Sequence, residues 1–386
     1  MKIRIEQAKL LNALQTVSRA AAPVGGNMPV LNCVLVEANG EGLEFKCTNL
    51  DVEISAKTVA EITWCGGIAV PCRLFLELVS NLPKDATVQI ESVDKFVSIV
   101  SIPGTRFSAE IRGFDPQDYP VLEQQADDDR GVFSVIEASV LADAIKKVSW
   151  SAADRPESPM LGAIMMRFQA NLLTLVSVSG VTLARTEIKP SSYEEGDDAF
   201  DLTFTPPQKE LAMLLPLLKG ENIGVWTNEK HTRLFFGNKE FCFSTVLITG
   251  NFPNYEKLFN SLNETIRTAV TVLRDELLSQ LKIIRLFVQD TKQKIVRLDI
   301  TKDRVSLENY NTESGGSVTE IIYDGFVGEP ATMLLNVEQL VNAVTPIADR
   351  LVTLIISKQA LSVSDTSGYR GVAMNMVLNT QVITNA

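Results

Sequence analysis

Apolar residues recur three or four positions apart in three separate stretches of the chain, which is the spacing of one face of an α-helix. The apolar positions are Leu10, Leu14 and Val17 in the first stretch, Leu141, Ile145 and Val148 in the second, and Leu277, Leu281 and Ile284 in the third. Successive copies lie 131 and 136 residues apart, so three such units nearly fill the 386 residues. The pattern predicts a threefold repeat.

A second helix is predicted later in each unit. The predicted spans are 72–82, 207–218 and 336–348, and each follows a short apolar strand. Pro216 and Pro346 lie late in two of these spans, where a proline ends or kinks a helix. Between the helices apolar and polar residues alternate, which is the period of a half-buried strand. Each unit is therefore predicted to be α+β, with two helices and several strands.

Polar stretches separate the units. Residues 123–130 are acidic and poor in apolar side chains, and residues 260–265 are predicted to form a polar connector. These boundaries predict three domains, at 1–125, 130–258 and 262–386, the last with a C-terminal extension at 379–386.

Composition narrows the class of protein. Hydrophobic residues make up 45% of the chain and charged residues 22%, which argues against disorder. The N-terminus lacks the apolar centre of a secretory signal, and no stretch is long and apolar enough to span a membrane. The five cysteines are scattered without a CxxC pair, so neither a disulfide framework nor a zinc site is expected. These features predict a cytoplasmic protein without membrane contact.

The net charge of −11 is unlike that of a conventional basic nucleic-acid-binding protein. The charge is unevenly distributed, because the six predicted helices sum to +2 and the remainder therefore carries −13. A mildly positive set of helices fits a surface that faces DNA phosphates without reading sequence.

Catalysis has little support in the sequence. The single histidine, His231, lies in a polar turn, and no nucleophile elbow, P-loop, HExxH or dinucleotide motif occurs. The run Asp127-Asp128-Asp129 could mimic a metal site, but consecutive carboxylates in a polar linker usually face solvent. The chain is predicted not to be an enzyme and to need no cofactor or metal.

Five local phrases lie in register across the repeat. They are Thr48-Asn49-Leu50-Asp51-Val52-Glu53-Ile54, Val70-Pro71-Cys72-Arg73-Leu74-Phe75, Thr105-Arg106-Phe107-Ser108, Phe252-Pro253-Asn254-Tyr255 and Leu335-Asn336-Val337-Glu338-Gln339-Leu340. Together with the repeat they show that the chain resembles the bacterial DNA polymerase III beta subunit family, the replication sliding clamps. The resemblance extends over roughly residues 1–378 and marks the chain as a divergent member.

The resemblance implies a head-to-tail homodimer whose six domains form a ring, with helices inside and antiparallel sheets outside. Such a ring encircles double-stranded DNA as a processivity factor. By register Phe107, Phe287 and Val288 fall on the contact between subunits. Arg73 aligns with a DNA-contacting arginine of the family, and helix position and charge add Arg19, Lys146, Lys147, Arg155, Lys282 and Arg285.

Clamps of this family bind DNA polymerase, clamp loader and repair factors through short linear peptides in an apolar pocket. By register its residues are Leu161, Val178, Gly180, Val181, Thr182, Leu183, Pro253, Lys257, Leu258, Val372, Met374 and Met376. Val181 and Thr182 stand where the family has histidine and arginine. Our hypothesis is a pocket that favours a more apolar ligand and is shaded by residues 379–386. The alternative to a replicative clamp is a specialised copy, either inhibitor-resistant or a non-replicative scaffold.

Overall fold

The computed structural model describes residues 1–40, 42–122, 131–154, 157–169, 171–193, 201–288, 294–309 and 317–376. By its internal contacts the chain divides into two compact units. Unit 1 comprises residues 1–139, 190–195 and 209–247, and unit 2 comprises residues 140–189, 196–208 and 248–386.

Six of the seven helices in the described residues begin and end close to where the apolar spacing predicts them, and the helix at Tyr255–Glu264 was not predicted. The seven are α1 (Gln7–Val17), α2 (Cys72–Ser80), α3 (Ala138–Ser149), α4 (Gln208–Leu214), α5 (Tyr255–Glu264), α6 (Arg274–Val288) and α7 (Val337–Val344). The nine apolar anchors named above, on α1, α3 and α6, are all fully buried. The helical spacing therefore identified the buried faces correctly.

The strands fall into three consecutive sets. The first set is β1 (Lys2–Glu6), β2 (Cys33–Asn39), β3 (Gly42–Thr48), β4 (Val52–Thr58), β5 (Glu61–Trp64), β6 (Gly66–Pro71), β7 (Thr87–Ser92), β8 (Val97–Ser101) and β9 (Ser108–Arg112). The second is β10 (Ser134–Glu137), β11 (Met165–Gln169), β12 (Leu172–Val178), β13 (Thr182–Ile188), β14 (Ser192–Tyr193), β15 (Asp201–Phe204), β16 (Asn222–Thr227), β17 (Arg233–Gly237) and β18 (Phe241–Val246). The third is β19 (Ile266–Leu273), β20 (Ile295–Ile300), β21 (Val305–Asn309), β22 (Val318–Ile321), β23 (Tyr323–Gly328), β24 (Ala331–Asn336), β25 (Leu351–Ser357), β26 (Ala360–Ser364) and β27 (Arg370–Met374).

One order of elements occurs three times along the chain. Each repeat runs strand, helix, five strands, helix, three strands, with α1 and α2, then α3 and α4, then α6 and α7 as its helices. The helix α5 lies between the second and third repeats. The predicted repeat and its α+β class are confirmed, whereas the domain boundaries at 1–125, 130–258 and 262–386 stay a prediction.

Unit 1 holds two antiparallel sheets. One has five strands in the order β5-β1-β7-β8-β9, and the other has nine in the order β14-β10-β16-β17-β18-β4-β3-β2-β6. The nine-stranded sheet joins two repeats, because β18 pairs with β4 along its length. The helix α1 packs on β4 and on α2, so its buried face seals one side of this sheet.

Unit 2 holds the corresponding pair of sheets. Its nine strands follow the order β15-β11-β12-β13-β27-β26-β25-β19-β23, and a four-stranded sheet follows the order β22-β21-β20-β24. Here β13 and β27 form the junction between repeats. The helices α6 and α7 pack against each other, and α6 also contacts β21.

The structure corrects three helix boundaries and one linker. The helix predicted over 207–218 is α-helical only to Leu214, before Pro216, and the one predicted over 336–348 ends at Val344, before Pro346. The helix predicted over 72–82 ends at Ser80. The prediction of a polar connector at 260–265 was wrong, because residues 260–264 lie in α5.

A buried tyrosine ties three segments of unit 2 together. The hydroxyl of Tyr369 accepts a hydrogen bond from the indole Nε1 of Trp150 at 3.0 Å and donates one to the backbone oxygen of Ala343 at 2.9 Å. Tyr369 is only 1% exposed. Trp150 follows α3 and Ala343 lies in α7, so this hydroxyl links the helices of two repeats.

We predict that Tyr369→Phe lowers the free energy of unfolding by about 1–3 kcal/mol, because the indole N–H of Trp150 then lacks its buried acceptor. Urea unfolding of the purified chain measures this. The matched control is Tyr323→Phe, whose exposed hydroxyl bonds the backbone oxygen of Lys302 and should change stability less. Equal effects of the two substitutions would contradict the prediction.

Candidate functional site

The floor of the predicted apolar pocket lies in unit 2, where β13 pairs with β27. Leu183 and Val372 stand directly opposite each other in this pairing, and each is 1% exposed. Opposite side chains in an antiparallel pair lie about 5 Å apart, so these two residues form a continuous apolar surface. The pocket floor is thus made by two strands from different repeats.

The helix α5 covers one side of this surface. Tyr255, Phe259 and Leu262 are its buried residues, at the spacing of one helix face. The side chain of Asn254 caps the helix by accepting a hydrogen bond from the backbone N–H of Lys257 at 2.9 Å. The cap and the apolar face together fix α5 against the sheet.

Six of the predicted pocket residues come together in this cluster. Val178, Leu183 and Val372 are among its buried members, and Leu161, Leu258 and Met374 are half-buried at its border. The half-buried residues leave apolar surface open beside α5, which is the property that an apolar peptide anchor requires.

The two residues that depart from the family differ in exposure. Val181 is 50% exposed, so an apolar side chain occupies the rim. Thr182 is buried, and its hydroxyl is engaged with the hydroxyls of Ser151 at 2.9 Å and Ser179 at 2.6 Å. The rim therefore gains an apolar group at 181 and offers no free polar group at 182.

Among the described residues, the apolar cluster does not include the other predicted pocket residues. Gly180 has a φ of +93°, which favours glycine in the tight turn before β13. Pro253 is half-buried and Lys257 is exposed. Met376 is half-buried and donates its backbone N–H to the oxygen of Leu334 at 2.7 Å. Lys257 is the only charged residue in the predicted set.

A pair of arginines that the sequence did not single out lies against α5. Arg185 and Arg370 are opposite each other in β13 and β27, and the Arg370 guanidinium lies 4.7 Å from the ring centre of Phe259. Burial, with a smaller contribution from the Arg185 charge, lowers the pKa of Arg370. The cation–π contact offsets part of the cost of placing two like charges opposite each other.

A cavity of about 480 Å³ with a mixed polar and apolar lining opens beside the start of α5. Arg167 lines it and forms two hydrogen bonds to the carboxylate of Asp201, at 2.8 and 2.6 Å. These bonds lower the pKa of Asp201. Arg167 also contacts Glu256 at 3.1 Å, so its charge is satisfied within the cavity.

The DNA-contact candidates of unit 1 are exposed. Arg73 lies on α2 with its side chain 84% exposed, and it forms an ion pair with Glu77 one turn later at 3.0 Å. Arg19 follows α1 and is also exposed. An exposed pair of this kind is weak, so a phosphate can compete for Arg73.

The DNA-contact candidates of unit 2 differ in availability. Lys282 is exposed on α6, and Lys146 is exposed with Asp143 at 3.8 Å. Lys147 is engaged, because its side chain is 19% exposed and its ammonium lies 3.6 Å from Asp365 and 2.8 Å from the hydroxyl of Ser367. Arg285 forms an ion pair with Glu338 at 2.8 Å. Arg155 lies outside the described residues.

The subunit-contact candidates also differ in exposure. Phe107 is half-buried directly before β9, and Phe287 is half-buried near the end of α6. Val288 is fully buried in the core of unit 2. On the same helix Ile283 is 46% exposed and Leu286 is 66% exposed, and neither residue was predicted from the sequence.

Two further features bear on the class of protein. Within the described residues no group of three or more His, Cys, Asp or Glu side chains is arranged to hold a metal ion. None of the helices in that part of the chain is long and apolar enough to cross a membrane. The Asp127–Asp129 run and residues 379–386 lie outside it.

Comparison with known proteins identifies relatives over nearly the whole chain. The model of the DNA polymerase III beta subunit N-terminal domain matches residues 1–123, and the model of the central domain of that subunit matches residues 135–254. The beta sliding clamp of Pseudomonas putida is 26% identical over 361 residues, covering 92% of this chain and 93% of that protein. The beta sliding clamp of Vibrio cholerae is 24% identical over 371 residues, covering 95% and 94%.

Solved structures agree with these relatives in fold. The DNA polymerase sliding clamp from Bacillus subtilis matches with a TM-score of 0.89 at 19% identity, covering 98% of this chain and 99% of that one. The sliding clamp from Pseudomonas aeruginosa bound to griselimycin matches with a TM-score of 0.87 at 22% identity, covering 98% and 100%. The chain therefore has the sliding-clamp fold and belongs to the DNA polymerase III beta subunit family, as a divergent member.

Proposed function

We propose that this chain is a DNA sliding clamp without catalytic activity of its own. Two copies close head to tail into a ring around double-stranded DNA, and short peptides of the polymerase and clamp loader bind the apolar pocket of unit 2. The ring works in the cytoplasm, on the DNA that the polymerase copies. It needs no sequence readout, because enclosure rather than affinity retains the DNA.

The main support for the proposal is a pair of strand edges that have no partner strand in the described residues. The last strand of the second repeat pairs with β4 of the first, and the last strand of the third repeat pairs with β13 of the second. By the same rule β9, the last strand of the first repeat, should pair with β22 of the third. In the described residues β9 bonds only to β8, and β22 bonds only to β21.

A second copy can complete both open junctions. Joining the five-stranded sheet of one copy to the four-stranded sheet of another through β9 and β22 gives nine strands, the number in each of the other two large sheets. Exposed edge strands are a liability that folded proteins normally cover. Two such contacts between two copies close a ring. A heterologous interface gives a closed ring when its rotation permits.

Apolar side chains beside the open edges support the same contact. Ile283 and Leu286 are exposed on α6, and Phe107 directly precedes β9. Exposed ion pairs accompany both strands, since Arg112 on β9 lies 3.5 Å from Glu110 and Glu320 on β22 lies 3.9 Å from Arg304. An apolar centre with charged residues around it is typical of a specific interface.

A specialised copy of the clamp is the second candidate function. The exposed Val181 and the engaged Thr182 remove two polar groups from the rim, so carboxylates of a partner peptide lose donors there. This altered pocket is the feature that suits an inhibitor-resistant clamp or a non-replicative scaffold. Replacement of a host clamp by this chain tests the scaffold, because a scaffold cannot support growth, whereas a replicative or an inhibitor-resistant clamp can.

We predict that the chain sediments as a dimer, near twice 42.4 kDa, and that Leu286→Asp makes it a monomer at micromolar concentration. An unpaired charge buried in an interface costs about 3 kcal/mol, which weakens dimerisation more than 100-fold. Val59→Asp is the matched control, since Val59 is 80% exposed on a different surface. A wild-type monomer, or a Leu286→Asp dimer, would contradict the interface.

We expect the chain to stay on circular duplex DNA in high salt and to leave it once the circle is cut. Salt removes electrostatic binding but not enclosure, so gel filtration of complexes before and after cutting separates the two. Equal loss from circular and linear DNA would refute enclosure.

In low salt we expect Arg73→Gln to reduce the magnitude of the slope of log affinity against log salt concentration by about 1. Arg4→Gln removes an exposed arginine on β1 and is the control, with no expected change in the slope.

We predict that Val181→Arg raises the affinity for a nine-residue peptide with two leucine anchors and one aspartate by about fivefold, since an exposed ion pair contributes up to about 1 kcal/mol. The same peptide with asparagine should gain nothing, and Val181→Leu is the control variant. Titration calorimetry measures the affinity of each variant for both peptides.

Removal of residues 379–386 should also raise the affinity for the aspartate peptide if the tail shades the pocket. Unchanged affinity would refute that part of the hypothesis.

A further inference from the structure

Three buried cysteines of unit 1 lie close together at the start of α2. Cys72 is the first residue of α2, Cys47 lies in β3 and Cys33 lies in β2, and each is at most 2% exposed. The sulfur of Cys47 lies 3.7 Å from the sulfur of Cys72 and donates a hydrogen bond to it. The two sulfurs are therefore in van der Waals contact with nothing between them.

The two sulfurs have different proton affinities. The hydrogen bond from Cys47 lowers the pKa of Cys72, while burial raises the pKa of Cys47. The first turn of a helix also favours a thiolate, because its backbone N–H groups carry partial positive charge. Burial raises the pKa of the third thiol, Cys33, to about 12, which leaves Cys33 protonated. Cys72 is thus the nucleophile of the group, and Cys47 is its neighbour.

We propose that Cys47 and Cys72 are a modification site that forms a reversible disulfide when the chain meets hydrogen peroxide. The Cys72 thiolate attacks one peroxide oxygen, the O–O bond breaks, and the released hydroxide takes up a proton to become water. Cys72 is then a sulfenic acid. The Cys47 sulfur attacks the Cys72 sulfur, the S–O bond breaks, and the hydroxyl leaves as water with the Cys47 proton. Two thiols and one peroxide give one disulfide and two waters.

The surroundings determine which of the two sulfurs moves. A disulfide has an S–S length of about 2.05 Å, so the sulfurs must approach each other by about 1.6 Å. Cys47 is held in place, because β3 lies between β2 and β4 and the hydroxyl of Tyr119 accepts the backbone N–H of Thr48 at 3.1 Å. The same hydroxyl also lies 3.3 Å from the backbone oxygen of Lys46. Pro71, directly before Cys72, is paired with Cys33 in the sheet, so the approach requires a movement of the Cys72 side chain and the first turn of α2.

Opening of that turn also explains how peroxide reaches a buried sulfur. Cys72 is the first residue of α2, the cap residue Pro71 before it ends β6, and the next residue, Arg73, is exposed to solvent. Local opening at a helix end is the least costly opening in a fold. A small oxidant is required, and peroxide meets that requirement.

Thiol counting on the full chain tests the proposal. The background variant is Cys65→Ser, which removes the one exposed thiol and leaves Cys33, Cys47, Cys72 and Cys242. After peroxide treatment and denaturation we expect two of the four thiols to react with maleimide, and dithiothreitol should restore four. A protease digest should contain one linked peptide pair, joining Cys47 to Cys72.

Further substitutions in that background make the assignment specific. Cys47→Ser and Cys72→Ser should abolish the linked pair, while Cys33→Ser, a buried neighbour, should keep it. If Cys47→Ser fails to fold, the peptide map of the Cys65→Ser chain decides the question alone. Four reactive thiols after treatment, a link through Cys33, or sulfinic acid at Cys72 without any link would each overturn the proposal.

Discussion

Backbone pairing between strands of different repeats is the constraint on which the rest of the structure depends. The last strand of a repeat has one edge without a partner in its own repeat. That edge pairs with the fourth strand of the preceding repeat: β18 pairs with β4, and β27 pairs with β13. Unpaired backbone groups at a sheet edge favour such pairing. The result is two nine-stranded sheets, each made from two repeats.

The same pairing creates the pocket and leaves the interface open. Leu183 and Val372 become neighbours only because β13 and β27 pair, and α5 then covers one side of the apolar surface that they form. The first repeat has no earlier repeat within the chain, so β9 and β22 stay at the edges of the smaller sheets. The proposed partner pocket and the proposed ring closure therefore rest on one structural rule, applied inside the chain and between copies.

Local patterns in the sequence predicted local structure well and long-range contacts poorly. The buried anchors on α1, α3 and α6 follow from apolar spacing alone. The helix α5 was missed because residues 260–265 are polar, although the cap residue Asn254 and the spacing of Tyr255, Phe259 and Leu262 carried its signal. Strand partners such as β18 and β4 lie far apart in sequence, and no local pattern specifies their register.

The site shows the same division between local and long-range information. Six residues that the resemblance assigned to the pocket, Leu161, Val178, Leu183, Leu258, Val372 and Met374, lie in one apolar cluster, and their role in binding a partner peptide stays a prediction. Charge alone could not separate the exposed Arg73 from Lys147, because the partner of Lys147, Asp365, comes from a distant strand end. The contact between Cys47 and Cys72 was also invisible, since their spacing matches no cysteine motif.

Hydrogen exchange of the backbone amides in β9 and β22 tests the shared rule most directly. At micromolar concentration we expect both strands to exchange as slowly as β18 and β27, which occupy the junctions inside the chain. Dilution until the copies separate should then speed exchange in β9 and β22 and leave β18 and β27 unchanged. Fast exchange in β9 and β22 at every concentration, as in an open sheet edge, would contradict the account.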